Sequence, residues 1–470
     1  MKQRDFDVII EGLDQKGFGQ GKVFIDHREV SLSVPYTLPN EKVHVQLQGK
    51  KKGKWIAHVD QIHVLNQERT SPRCVHFGEC GGCVWQHINY QEQLRQKEAY
   101  VHQLFRDLLH ASTKIHPIIP SQQEWEYRNK MEFSFSQDAN LNRYLGLIKL
   151  NSRGRVLNLS ECHLVHDWFI EALKHTSEWW QNSRLTAYNP HRNEGTLRTL
   201  TVREGWNSGD RLIMLTVSGN PEDSIKRAEI DAFTKAMRQA VEPESVSGAY
   251  LSVFLRIQQS IKGQQTQFYE MHLHGQEGIR EELSIAGRNI KFMISPSAFF
   301  QPHPQQAERI FTKAIELANV PSEAVVYDLY CGTGTFGLCI APQVQEVYGI
   351  ELSYESVVDA RENVKLNGIT NMHIDRGDVE KVLDAKMQSS SFRFPDLVFI
   401  DPPRSGLTMK AIQQILRLNP QTIVYVSCNP KTQAENIAQF IEKGYILSDI
   451  NPIDQFPQTV HCENIAILRR

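Results

Sequence analysis

Residues 425–433 read YVSCNPKTQ, and Cys428 follows an apolar run, residues 422–426, that ends at Ser-Cys-Asn-Pro. This places the cysteine at the mouth of a strand rather than in a core. A strand end gives a thiol partial exposure, and the backbone N–H groups there offer a means of lowering its pKa; a thiolate nucleophile needs both. A lone cysteine at such a position is more often structural, so its meaning depends on what stands at the neighbouring strand ends.

Three other strand ends carry chemistry. Gly332, Gly334 and Gly337 form G-x-G-x-x-G after the run AVVYDLY, and Glu351 lies nineteen residues beyond Gly332 at the end of the next run. Glycines let a ligand approach the backbone closely, and an acid at that distance suits ribose hydroxyls. This pair fits a dinucleotide and S-adenosylmethionine equally. DPPRSG, residues 401–406, separates them. Two consecutive prolines neither extend a strand nor enter a helix interior, so they form a rigid lip projecting Asp401 over the ligand site. An enzyme that holds a planar nucleobase has a use for such a lip. In FPQTVHCENIAIL, His461 and Glu463 alternate and would share one face of a strand, so either could act as a general base, with a surface pair on a terminal hairpin as the competing reading.

One cysteine and one base suffice for methylating carbon 5 of uracil. Thiolate addition to carbon 6 makes carbon 5 electron-rich. Carbon 5 then accepts a methyl group, and a base removes its proton so that the cysteine can leave. An RNA cytosine-5 enzyme is the alternative. That chemistry ordinarily uses a second cysteine, and the nearby spares, Cys331 and Cys462, lie outside the proline lip.

A separate constellation is C-x5-C-x2-C at Cys74, Cys80 and Cys83, with Cys162 as a fourth ligand. Four thiolates suit an iron–sulfur cluster or tetrahedral zinc, and His76, His87, His163 and His166 keep zinc open.

These residues need elements to position them. From about residue 291, apolar runs alternate with helical stretches such as 353–367 and 408–417, which implies a parallel sheet wound with helices on both faces and a site at the strand ends. Residues 7–65 read as short alternating strands divided by Gly, Pro and Asn turns, a barrel of the oligonucleotide-binding sort or a plain structural one. A helix is expected over about 90–109, and 122–290 mixes strands and helices. At 470 residues the chain needs several domains: 1–66 a barrel, 67–290 the cysteine segment and a central α+β domain, 291–470 the α/β domain. Composition is that of a globular protein, 40% hydrophobic and 23% charged, and neither a signal peptide nor an 18-residue apolar run is present, so a cytoplasmic protein away from the membrane is expected. Net charge is −2, with +2 in residues 1–70. Nucleic acid would therefore meet a local basic patch, for which Lys50, Lys51, Lys52 and Lys54 are candidates against a simple solvated turn.

Over nearly its full length the chain resembles the RNA uracil-5-methyltransferases that carry an iron–sulfur cluster, most closely those acting on 23S ribosomal RNA. The motifs that carry the likeness are the cysteine segment, YRNKMEFSF at 127–135, SPSAFFQPHPQQAE at 295–308 and each sheet motif above. The resemblance implies a Rossmann-like S-adenosylmethionine-dependent methyltransferase domain behind a TRAM barrel. It implies a 4Fe-4S cluster on Cys74, Cys80, Cys83 and Cys162. It implies cofactor binding by Gln301, Tyr330, Thr335, Glu351, Asp378 and Asp401, with Gln301 and Asp401 also against the target base. It assigns the nucleophile to Cys428, the base to Glu463 and an RNA contact to Arg128. A monomer acting on 23S ribosomal RNA is expected, with transfer RNA as the alternative target. Two positions depart from the family: Cys462 stands where an aliphatic residue is usual and is expected to pack as a small hydrophobe, and Thr335 stands where some relatives have Asn.

Overall fold

The computed structural model describes residues 5–25, 27–51, 53–152, 154–243, 248–261 and 263–470. Three sheets and a hairpin organise it.

The N-terminal sheet comprises β1 (Asp5–Ile9), β2 (Gly12–Leu13), β3 (Gly19–Ile25), β4 (Arg28–Val34), β5 (Lys42–Lys51) and β6 (Lys54–Val64). β1 pairs with β5, and after a short bend β2 pairs with β3, so the sheet closes on itself. Alternation along the strands sends Val8, Ile10, Val23, Leu32, Val34, Val43, Val45 and Ala57 into its interior. Of the four lysines considered as a patch, Lys50 and Lys54 are exposed, and Lys50 lies 5.0 Å from the Trp55 ring centre; Lys52 is outside the described residues.

α1 (Tyr90–Phe105) begins at Asn89, whose side chain accepts from the Glu92 N–H, and it packs on the C-terminal part of the chain. β7 (Lys114–Ile115) follows. The central sheet has the order β10-β9-β8-β11-β12-β13-β14, built from β8 (Lys130–Gln137), β9 (Arg143–Ile148), β10 (Val156–Asn158), β11 (Leu197–Glu204), β12 (Arg211–Ser218), β13 (Leu251–Gln259) and β14 (Gln267–His274). α2 (Asp167–Gln181) and α3 (Arg227–Val241) cover one face and bury Trp180, Phe169, Phe233 and Met237 against it. The hairpin β15 (Ile279–Ile285) and β16 (Arg288–Ile294) shares one apolar cluster with α4 (Pro304–Ala318) and the last sheet.

That last sheet has the order β19-β18-β17-β20-β21-β23-β22-β7. Its strands are β17 (Val325–Leu329), β18 (Glu346–Glu351), β19 (Met372–Arg376), β20 (Leu397–Ile400), β21 (Thr422–Ser427), β22 (Ile446–Ile453) and β23 (Glu463–Arg469). The helices between them are α5 (Thr335–Ile340), α6 (Tyr354–Leu366), α7 (Val379–Lys386), α8 (Met409–Leu418) and α9 (Pro430–Ile441). β17 to β21 are parallel, as the alternating pattern implies, and all five residues of β17 are buried, as a strand covered on both faces must be. The end of the sheet differs from the all-parallel expectation. β23 enters between β21 and β22 and runs antiparallel to both, because a short loop rather than a helix joins it to β22. Strand order reverses direction between β17 and β20, which opens a crevice at their C-terminal ends. Among the described residues no helix is long and apolar enough to cross a membrane.

Candidate active site

The glycine turn begins under constraint. Tyr330, directly after β17, has φ 64°, and Gly332 and Gly334 have φ 54° and 84°. Three left-handed residues in five curl the chain into a tight turn, closed by the Gly334 N–H donating to the Cys331 carbonyl at 2.8 Å. Gly337 is needed for a different reason: a Cβ there would lie 2.3 Å from Met372 Cε and 3.2 Å from Asp328 Oδ2. Asp328 is buried, accepts from the Gly337 N–H at 2.9 Å, and is pushed up to about 8 by that burial.

Glu351, at the end of β18, accepts from the N–H of Gly332 (3.0 Å) and of Ser353 (2.8 Å), which fixes its carboxylate against the turn. Asp378 caps α7 through the Lys381 N–H. Burial raises the Tyr330 hydroxyl to about 12, and the Glu380 and Asp378 carboxylates add to the rise. Thr335 opens α5 and is buried, with its hydroxyl 3.4 Å from that of Thr333. Gln301 comes from the loop before α4. Its carbonyl accepts from Asn129 Nδ2 at 3.0 Å, its Nε2 donates to Asp401 Oδ2 at 3.4 Å, and its Oε1 accepts from Gln455 Nε2 at 3.2 Å. The six residues thus line the ends of β17, β18, β19 and β20, with Gln301 closing over Asp401.

Beside them lies a second group. The β21–β23 ladder ends at the Ser427–Asn464 pair, so Cys428, just after β21, and Glu463, the first residue of β23, both stand at that end of the ladder, and the Glu463 carboxylate acts electrostatically on the thiol. Asp401, at the end of the adjacent β20, acts electrostatically on both. Cys428 is half-buried and its thiol is pushed up to about 12, first by burial and then by the carboxylates of Glu463 and Asp401, with Arg404 opposing. A thiol pKa lowered by backbone N–H groups is the sequence expectation, and it is corrected here: partial burial and then two acids outweigh them. Glu463 is 5% exposed and is raised well above the carboxylate range by burial and by Asp401, again opposed by Arg404. Asp401 is raised to about 7 by burial.

Arg404 is the member that sequence reading passed over except as part of the lip. Its carbonyl accepts from Asn429 Nδ2 (2.9 Å) and Thr432 Oγ1 (3.4 Å), which ties the proline lip to the cysteine loop. Its Nη2 donates to His461 Nδ1 at 3.0 Å. His461 also differs from its expected place. β23 starts at Glu463, so His461 lies in the preceding loop rather than on a shared strand face. Burial, Arg404, Lys97 and Arg128 lower it to about 4, so its neutral ring accepts the guanidinium bond. Cys462 is 2% exposed within the apolar cluster, as a small hydrophobe.

The four cysteines converge elsewhere, where the 74–83 loop packs on β9 and Cys162 approaches from the segment before α2. Gly81 is required there, since a Cβ would sit 2.8 Å from the Ile148 carbonyl. Burial raises Cys83 to about 12 and Cys162 to about 11, and the neighbouring cysteines add repulsion. Backbone N–H groups of Gly82, His76 and Leu164 point at the sulfurs of Cys80, Cys74 and Cys162. Four repelling thiols with N–H···S bonds form a donor set for a cationic metal centre. Four thiolates of this kind suit tetrahedral zinc or an iron–sulfur cluster.

Residues 264–470 match the family model described as tRNA (Uracil-5-)-methyltransferase. An RNA methyltransferase of Protochlamydia amoebophila, not itself characterised, is 49% identical over 442 residues, which span 93% of this chain and 99% of that one. A similarly named protein of Clostridium tetani is 30% identical across 100% of this chain and 98% of its own length. Among solved structures, the Pyrococcus abyssi tRNA (uracil-54, C5)-methyltransferase in complex with S-adenosyl-L-homocysteine aligns with TM-score 0.73 and 24% identity, covering 98% of this chain and 99% of that one. The fold is that of an S-adenosylmethionine-dependent methyltransferase. The chain belongs to the RNA (uracil-5-)-methyltransferase family and is an enzyme of that class.

Proposed function

We propose that this enzyme methylates carbon 5 of a uridine in 23S ribosomal RNA through a transient bond between Cys428 Sγ and carbon 6 of the base. The observation that carries the reading is that Cys428 and Glu463 stand next to the last pair of the β21–β23 ladder, where Glu463, Asp401 and Arg404 all act electrostatically on the thiol. Attack by the thiolate moves the ring electrons toward the carbonyl at carbon 4, leaving an enolate whose nucleophilic position is carbon 5. S-adenosylmethionine, when bound, supplies an electrophilic methyl group on a sulfonium. Glu463 takes the proton from the methylated carbon 5, and the electron pair so released expels Cys428 and restores the ring. Arg404 favours the charged forms of both groups. Gln301 and Asp401 meet the polar edge of the base, while Tyr330, Thr335, Glu351, Asp378 and Asp401 hold the cofactor.

The four cysteines hold a 4Fe-4S cluster in this reading. Cys74, Cys80, Cys83 and Cys162 would hold it as thiolates, losing the protons that burial otherwise keeps on them, and would thereby tie the 74–83 loop to the segment before α2. The closed N-terminal sheet serves as the TRAM barrel that docks RNA. Arg128, whose Nε is buried without a partner and whose charge reaches His461 and Cys162, bridges cluster and cleft toward a phosphate. Transfer RNA is the second reading, favoured by the name of the family that residues 264–470 match.

Replacing Cys428 with Ala should abolish methyl transfer while S-adenosylmethionine still binds, measured by radiolabelled methyl incorporation and by calorimetry. Normal turnover in that variant would end the covalent reading. Nucleotide mapping of 23S and transfer RNA from cells lacking the gene decides the target. Protein purified without oxygen should be brown, with a broad band at about 400 nm that is lost in Cys83→Ser. A colourless protein with one zinc per chain would refute the cluster.

A further inference from the structure

We propose that the outer face of the barrel carries a site for a borderline-soft divalent metal ion, of the zinc or nickel kind, held by Asp7, His44 and His63. One ligating atom from each of these residues lies within 4.8 Å of the other two. No other His, Cys, Asp or Glu group of three or more among the described residues meets that condition.

The strands bring the three together in two ways. Asp7 of β1 is directly opposite His44 of β5 in the antiparallel register. His63 of β6 reaches the same place through a bulge. Lys42 pairs with Val64 and Val43 with Ile62, so His63 is the extra residue with no partner across the ladder. Bulges re-aim side chains, and this one brings the His63 ring alongside His44, with ring centres 6.3 Å apart. Asp7 Oδ1 receives both imidazoles, His44 Nδ1 at 2.8 Å and His63 Nε2 at 3.5 Å. Asp5 and Asp60 add negative charge around His44, against Lys42 beside Asp7.

Two imidazoles and one carboxylate are a donor set for first-row divalent ions with positions left open to water. All three residues remain solvent-accessible, so an ion enters and leaves without moving the fold. None of them belongs to the catalytic group or to the four cysteines. The site is therefore independent of the methylation reading. An ion there would keep an exposed face with exchangeable ligands, able to take a phosphate oxygen of RNA.

Calorimetric titration of cluster-loaded, tag-free protein with Ni2+ tests it. One saturable site of micromolar affinity is expected, weakened by at least about tenfold in His44→Gln and in His63→Gln. His58→Ala, an exposed histidine also on β6, should leave it unchanged. Co2+ bound at the same site should show visible d–d absorption that disappears in His63→Gln. Absence of a saturable site, or equal affinity in the wild type and both glutamine variants, would overturn the proposal and leave only His–Asp ion pairs.

Discussion

Cys428, Glu463, Asp401 and Arg404 form a small electrostatic balance in which each side chain sets the proton affinity of another. Two consequences have opposite sign. Glu463 and Asp401 raise the Cys428 thiol and Arg404 lowers it. Removing the cation in Arg404→Gln should push the thiol further up, so the rise of adduct formation with pH moves to higher pH. Removing an acid in Glu463→Gln should let the thiol fall, so the rise moves to lower pH, while release of the methylated product slows by about 100- to 10,000-fold for loss of a general base. The adduct should then survive as a slow-migrating protein–RNA band on a denaturing gel. A pH profile of single-turnover adduct formation reads both shifts. Equal profiles for the two variants would remove Arg404 and Glu463 from control of the thiol.

At the scale of elements, the strand ends matter more than the strands. The glycine turn holds three left-handed residues, Tyr330 among them, and in α5 a Cβ at position 337 would displace the Met372 side chain and crowd Asp328 Oδ2. Gly337→Ala should cost about 1–3 kcal/mol by overpacking. It should also weaken S-adenosylmethionine binding, because the displaced turn carries the Gly332 N–H that holds the Glu351 carboxylate in place. Thermal unfolding with and without cofactor measures both. The lip at 401–406 and the cysteine loop are joined through the Arg404 carbonyl, so they should move as one unit.

Across the whole molecule, one buried ion pair ties the first third of the chain to the last. Lys97 of α1 lies 2.6 Å from Asp454, and both side chains are fully buried. Lys97 Nζ also donates to the Phe456 carbonyl at 3.0 Å, and Gln93 Oε1 accepts from the Gln458 N–H at 2.9 Å. α1 therefore holds the loop that delivers Glu463 to the site. Lys97→Met should cost about 3–5 kcal/mol by leaving the buried Asp454 carboxylate without its cation. The paired change Lys97→Met/Asp454→Leu should recover part of that loss. Calorimetric unfolding of the single and double variants checks this, and a smaller loss in the single than in the double variant would contradict it.

The sequence by itself determined the strand–helix alternation, the glycine turn, the proline lip and the cysteine spacing, because each depends on short-range backbone preferences and on period. It also singled out Cys428 and Glu463 as residues of interest. Tertiary structure decided the rest. Only the antiparallel insertion of β23 beside β21 brings positions 428 and 463 to the same end of the ladder, since pairing between distant segments leaves no trace in local pattern. Burial among acids, rather than residue type, sets the thiol high. Arg404, Gln455 and Lys97 act through partners remote in the chain, and the Asp7–His44–His63 cluster requires three strands and a bulge to exist at all.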